Sequence, residues 1–195
     1  VSGGTIGVPR TDEQIKELPT FGYLFGGGCG DARTDLDTVN NVGSTNVQIT
    51  GGIIYSSVVG GAEDGHIVGN TGVSVSQPVG KTTVIGSSGL TGVDGNIFGG
   101  GRNYFGNNAK AGRVGGNVAV SMSGGVTLGS IYGGGRLASV GTRLVEPSSP
   151  QYGQLIPDSG DDTHGHVTIN ITGGTIGNDY EAIYHTNIDE HTTRS

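Results

Sequence analysis

Residues 117–135 read NVAVSMSGGVTLGSIYGGG and carry both signatures that decide the fold. The first half alternates: Val118, Val120 and Met122 fall on one side of an extended chain, with Ala119, Ser121 and Ser123 on the other. That period of two is what a strand with one buried face requires, and β-branched residues suit the pleated surface. The run closes on Gly124 and Gly125, a pair that permits positive φ and a tight corner. The second half is a short apolar pair, Ile131 and Tyr132, followed by three glycines.

Both signatures recur along the chain. Alternating runs ending in Gly-Gly stand at 46–52 (NVQITGG) and 166–174 (HVTINITGG). In the second, Val167, Ile169 and Ile171 are expected inward and Thr168, Asn170 and Thr172 outward. The apolar pair with glycines stands at 24–28 (LFGGG), 58–62 (VVGGA) and 97–101 (IFGGG), and the IY at 183–184 would be a further copy without its glycines. Successive copies lie 34 to 39 residues apart, the spacing of repeat architectures. Helical patterning is confined to TDEQIKEL at 11–18. The expected fold is all-β: a β-solenoid of glycine-cornered repeats, parallel and right-handed β-helix-like, around a slim continuous core. A β-sandwich is the alternative. One repeat-array domain is expected over 1–195, with a long loop insertion at 137–165, rich in Pro, Ser, Asp and Gly, as a place to carry function. VSGGTIG at 1–7 matches ITGGTIG at 171–177 at five of seven positions. Either a piece of a longer array or a protomer whose open ends stack head to tail would give that pattern.

Composition sets the outer bounds. Of 195 residues 41 are glycine, yet only six are proline and no Gly-X-Y period runs through the chain, which excludes collagen. A charged fraction of 14% with many Val, Ile and Thr argues against a solvated disordered tail. The net charge is −7 and the ten Lys and Arg residues are scattered, so no phosphate-tracking surface for nucleic acid is expected. No membrane insertion is expected either, since no apolar run approaches 18 residues. The single cysteine, Cys29, excludes an internal disulfide framework and reads as a small residue at a crowded turn.

The repeat unit, an alternating strand closed by ITGGTI and answered by an IYGGG-type pair, resembles the glycine-rich repeats of large adhesin-like surface proteins of Bacteroidetes. It is more loosely similar to the β-helices of autotransporter passenger domains. The resemblance covers most of the chain outside the insertions. It implies an extracellular, cell-surface location and an adhesive or scaffolding role, and it carries over no catalytic residue.

Motifs for chemistry are sparse. Gly80, Lys81 and Thr82 end like a phosphate-binding loop, but position 75 is Val where the first glycine belongs, and no helix pattern follows. GGCGDARTD at 27–35 approaches a calcium nonapeptide, with Asp31 one position early and Ala32 in the Asp slot. The strongest polar cluster is DSGDDTHGH at 158–166, where Asp161, Asp162, His164 and His166 are the candidate ligands for a divalent metal. His185, Asp189, Glu190 and His191 repeat the idea more weakly. Arg102 and Arg136 take the same place after their glycine runs, as a column for acidic sugars or, by preference, to screen nearby carboxylates. Tyr23, Tyr104, Tyr132 and Tyr152 are candidate sugar-stacking residues. No hydrolase signature is present.

The functional expectation is a non-enzymatic extracellular structural or adhesive module, with head-to-tail assembly into fibres as a variant. Its expected partners are itself or neighbouring repeats of a longer chain, with a host or matrix glycan or protein as ligand. No cofactor is expected apart from the divalent metal named above. The alternative is a polysaccharide-binding or polysaccharide-degrading β-helix domain.

Overall fold

The computed structural model describes residues 1–11, 14, 21–30, 41–87, 94–104, 110–144, 155–157 and 163–177. Its strands in chain order are β1 (Ser2–Ile6), β2 (Leu24–Phe25), β3 (Asn41–Val42), β4 (Thr45–Ile49), β5 (Gly51–Ile54), β6 (Val58–Val59), β7 (His66–Ile67), β8 (Thr71–Val75), β9 (Thr83–Ile85), β10 (Ile97–Phe98), β11 (Val118–Thr127), β12 (Ile131–Tyr132), β13 (Thr142–Leu144), β14 (Leu155–Pro157) and β15 (Val167–Ile176). The alternating runs form one seven-stranded sheet, ordered β1-β5-β9-β11-β8-β4, with β15 added on β11. Its pairings are parallel, and Val118 lies level with Thr71 on one side and Val167 on the other. The apolar pairs build a parallel four-stranded sheet, β12-β10-β6-β2. A narrower third wall starts at β3 and β7 and continues through bridges from Ile67 to Val114 and Val140.

These walls curl around one core. Ile49, Ile54, Val58, Ile85, Ile97 and Met122 are among its fully buried side chains. Val118, Val120 and Met122 are buried as their alternation requires, whereas Ala119 and Ser123 are exposed. The corner of the long sheet is made by the second glycine of each pair: Gly52, Gly125 and Gly174 have φ of 104°, 92° and 101°, values that L side chains rarely adopt.

The glycines after the apolar pairs have a different cause. Gly26, Gly60, Gly99 and Gly133 form a column, and the N–H groups of the first three donate to the carbonyls of Val59, Phe98 and Tyr132 at 2.8–2.9 Å. A Cβ at Gly60 would meet the Gly99 carbonyl oxygen, one at Gly99 would meet Val118 Cγ1, and one at Gly133 would meet Val167 Cγ1. Two facing walls approach too closely there for any side chain. Threonine hydroxyls fasten the same seam: Thr45 Oγ1 donates to the Gly60 carbonyl (2.5 Å) and Thr71 Oγ1 to that of Gly99 (2.7 Å).

Several expectations change. Among the described residues the strands β1, β5, β9, β11 and β15 provide five levels, which at about 4.8 Å each extend only about 20 Å along the stacking direction. That is less than the roughly 30 Å that the ten residues of β11 could span if straight. The open β-solenoid expected from the repeat is therefore corrected to a squat all-β domain. Its parallel sheets curl, barrel-like, around one core, and walls face each other across it as in a sandwich. The fold implied by the resemblance to glycine-rich adhesin-like proteins is corrected with it.

Other differences are local. Within the insertion at 137–165, β13 and β14 form an antiparallel pair. Val167, Ile169 and Ile171, expected inward, are more than 40% exposed, because among the described residues no strand lies beyond β15. Of the stretch 11–18, Thr11 and Gln14 are described: each backbone N–H reaches the other's side-chain oxygen, at 3.1 and 3.4 Å, a reciprocal helix-start cap. The IY at 183–184 lies outside the described residues.

Candidate functional site

The outer face of the four-stranded sheet gathers most of the described aromatic rings. In each apolar pair the first residue belongs to the core: Val58 and Ile97 lie within it, and Leu24 and Ile131 pack against it. The period of two then turns Phe25, Val59, Phe98 and Tyr132 outward. Val59 and Phe98 are nonetheless buried without joining the central core cluster. They belong to a second, outer layer of side chains.

Two ring stacks define that layer. Tyr23 and Phe25 stack at 5.5 Å between centroids and 20° between planes. Phe98 and Tyr132 stack at 5.0 Å and 7°, a spacing set by the parallel pairing of β10 with β12. Phe98 is 4% exposed and Tyr132 is 45% exposed. Among the described residues β12 ends its sheet, so one face of the Tyr132 ring lies on Phe98 and no further described strand covers the other.

Beside the rings runs a column of side chains five residues after the start of each apolar pair. Bridges link Cys29 to Glu63, Glu63 to Arg102 and Arg102 to Arg136, in parallel register. Arg102, only 3% exposed, places its guanidinium carbon 4.4 Å from the Tyr23 centroid and 4.8 Å from that of Tyr104. Its Nη1 stands 3.3 Å from Glu63 Oε1. A cation between two rings and paired with a carboxylate is well held despite its burial. The Cys29 thiol points to Glu63 Oε2 at 3.8 Å. Burial, the largest influence, pushes the Glu63 carboxyl above its ordinary value of 4.5, with Asp64 adding to the rise; the Arg102 charge and the Cys29 hydrogen bond oppose it. Asp64 itself accepts the Tyr104 backbone N–H at 2.7 Å.

Of the residues singled out in the sequence, Tyr23 and Tyr104 meet at Arg102, Tyr132 stacks on Phe98 in the same sheet, and Arg136 is joined to Arg102 by a backbone bridge. Tyr152 lies outside the described residues. For Arg102, the carboxylate-screening reading fits its contact with Glu63. Glu63 was missed, although VVGGAE at 58–63 places it in the column position that LFGGGC, IFGGGR and IYGGGR also fill.

The candidate metal ligands are not brought into view as a set. Asp161 and Asp162 lie outside the described residues. His164 and His166 are exposed just ahead of β15, and the His166 backbone N–H donates to Asn117 Oδ1. His185, Asp189, Glu190 and His191 also lie outside them. Among the described residues no group of three or more His, Cys, Asp or Glu side chains could hold a metal ion. Lys81 occupies an exposed turn, its N–H donating to the Pro78 carbonyl at 3.0 Å, between two strands rather than before a helix.

No family model, curated protein or solved structure matches the chain. The expectation of a fibrous adhesive module that associates with itself or with further repeats is corrected by the architecture: the walls close around an internally packed core. No helix among the described residues is long and apolar enough to cross a membrane.

Proposed function

We propose that the domain binds polysaccharide, with Tyr132 as the stacking platform. The observation that carries this reading is the parallel Phe98–Tyr132 stack, which ends on a half-exposed ring in the last described strand of its sheet. A pyranose ring offers an apolar C–H face that suits an aromatic face, and Phe98 holds Tyr132 in place before any ligand arrives, which limits the ordering cost of binding. The described carboxylates nearby have structural work: Glu63 pairs with Arg102 and Asp64 with the Tyr104 backbone. The reading is therefore of binding without turnover, in an extracellular setting where polysaccharide is met.

The test is calorimetric titration of soluble neutral and acidic oligosaccharides into the wild-type domain, Tyr132→Phe and Tyr132→Ala. Loss of the ring is expected to weaken binding about tenfold or more, from lost contact area and ring-face interaction. Tyr132→Phe should keep most of the affinity. Wild-type binding that survives Tyr132→Ala unchanged, or no binding by the wild type to any of the sugars, would sink the proposal.

A further inference from the structure

The column beside the platform is charged unevenly. Reading upward, it holds a thiol at Cys29, a carboxylate at Glu63, and guanidinium groups at Arg102 and Arg136. Arg102 takes the carboxylate of the level beneath it. For Arg136 the level beneath is Arg102, another cation, and among the described residues Arg136 forms no ion pair. Its backbone is held from the level beneath through both polar groups: its N–H donates to the Gly101 carbonyl (2.8 Å) and its carbonyl accepts from the Asn103 N–H (2.9 Å). Its side chain is half-buried, four residues beyond Tyr132.

The backbone next to it is unusual. Leu137 has φ of 56° and a largely exposed side chain. The matching residue after Glu63 is Asp64, with φ of 55°. Aspartate tolerates that conformation, whereas for leucine it is costly. Strained positions of this kind concentrate at binding and catalytic sites.

We infer that Arg136 makes the platform selective for acidic sugars, its guanidinium taking the carboxylate of a uronic acid stacked at Tyr132. This rests on the Tyr132 reading above. A guanidinium fork matches a carboxylate bidentately, and the column supplies no competing anion at that level. The net charge of −7 works against general attraction of polyanions, so selectivity must come from this local contact and should fall as salt rises.

The test uses a tetragalacturonate and its carboxyl-reduced, neutral counterpart as probes. Both are titrated into the wild type, Arg136→Gln, Arg136→Lys and Tyr132→Ala, with thermal melts to verify that each variant is folded. The wild type is expected to bind the acidic probe about tenfold or more tightly than the neutral one. Arg136→Gln should erase that preference while leaving the neutral affinity unchanged, and Arg136→Lys should restore part of it. A preference that persists in Arg136→Gln overturns the inference, as does equal binding of both probes by the wild type. Equal binding that still depends on Tyr132 would leave the platform standing and remove only the acidic selectivity. Binding of neither probe, or binding indifferent to Tyr132→Ala, would remove both.

Discussion

Replacing Gly99 with alanine tests the central packing argument, because Gly134, in the equivalent motif one level on, provides its control. The two glycines look alike in sequence, IFGGG and IYGGG, and neither has a positive φ. Their surroundings differ completely. A Cβ at Gly99 would press on Val118 Cγ1, lie 2.5 Å from the Gly133 carbonyl oxygen and 2.7 Å from Val120 Cγ2. Two of these neighbours are β-branched core side chains, and the third is backbone one level away. Relief requires moving β10 from β11 or β12, which strains the Gly99 N–H to Tyr132 carbonyl bond (2.9 Å) and the Thr71 hydroxyl bond to the Gly99 carbonyl. Overpacking costs about 1–3 kcal/mol and each weakened hydrogen bond about 1 kcal/mol. The sum is about 3–5 kcal/mol, or on the order of 10 °C in Tm for a chain of this size. At Gly134 nothing lies within 4 Å of the added Cβ, so alanine there should be neutral, or stabilising by about 0.4–1 kcal/mol through the unfolded chain. Urea denaturation of the three proteins with a common m-value gives the comparison. Equal stabilities for Gly99→Ala and Gly134→Ala would refute the close-approach account of the glycine column.

Two further outcomes follow from the hydrogen bonds and charges. Thr71→Val removes the hydroxyl that caps the Gly99 carbonyl but keeps the shape, and Val118 fills the matching position one level on. A loss of about 1 kcal/mol is expected, read as a shift of about 2–4 °C in Tm, and an unchanged Tm would show that the cap contributes nothing. For Glu63, burial raises the folded-state pKa above 4.5, so the folded protein holds that proton more tightly than the unfolded chain. Its contribution to stability is then greatest below pH 4.5, declines as the pH rises towards the raised pKa and levels off above it. Urea midpoints of the wild type and Glu63→Gln at several pH values from 4 to 7 should show that decline removed in the variant, and parallel profiles would contradict it.

How much of this was legible varies by residue and for identifiable reasons. The alternation of Val118, Val120 and Met122 fixed strand and face together, since a strand with one dry side leaves that trace in any sequence. That each glycine pair would permit a positive φ was legible, but not that it would fall on the second glycine, as it does at Gly52, Gly125 and Gly174. The glycine column was not, because what forbids a side chain at Gly99 is Val118 and a carbonyl one level away, and no local pattern encodes that approach. Overall shape was misjudged for a related reason. Periodicity reports the length of one circuit, whereas the proportions of the body also depend on how many circuits stack. At the site, Arg102 and Arg136 stood out by their matching places, but Glu63 hid where VVGGA departs from the triple glycine.

The column in which those residues stand explains why the site sits where it does. Parallel register converts one position of the repeat into a line of neighbours about 4.8 Å apart, so each charge there must be answered from the level above or below. Glu63 is answered twice, by the Cys29 thiol and by Arg102. Arg102 is answered by Glu63 and by the rings of Tyr23 and Tyr104. If the arginines served only to screen carboxylates, the second would be expected within reach of another acid, as the first is. Arg136 instead follows an arginine, beside the last described strand of the sheet, where the aromatic stack also ends. The surplus cation and the half-exposed ring thus fall at the same end of the sheet, so an anionic group with an apolar face would answer both at once.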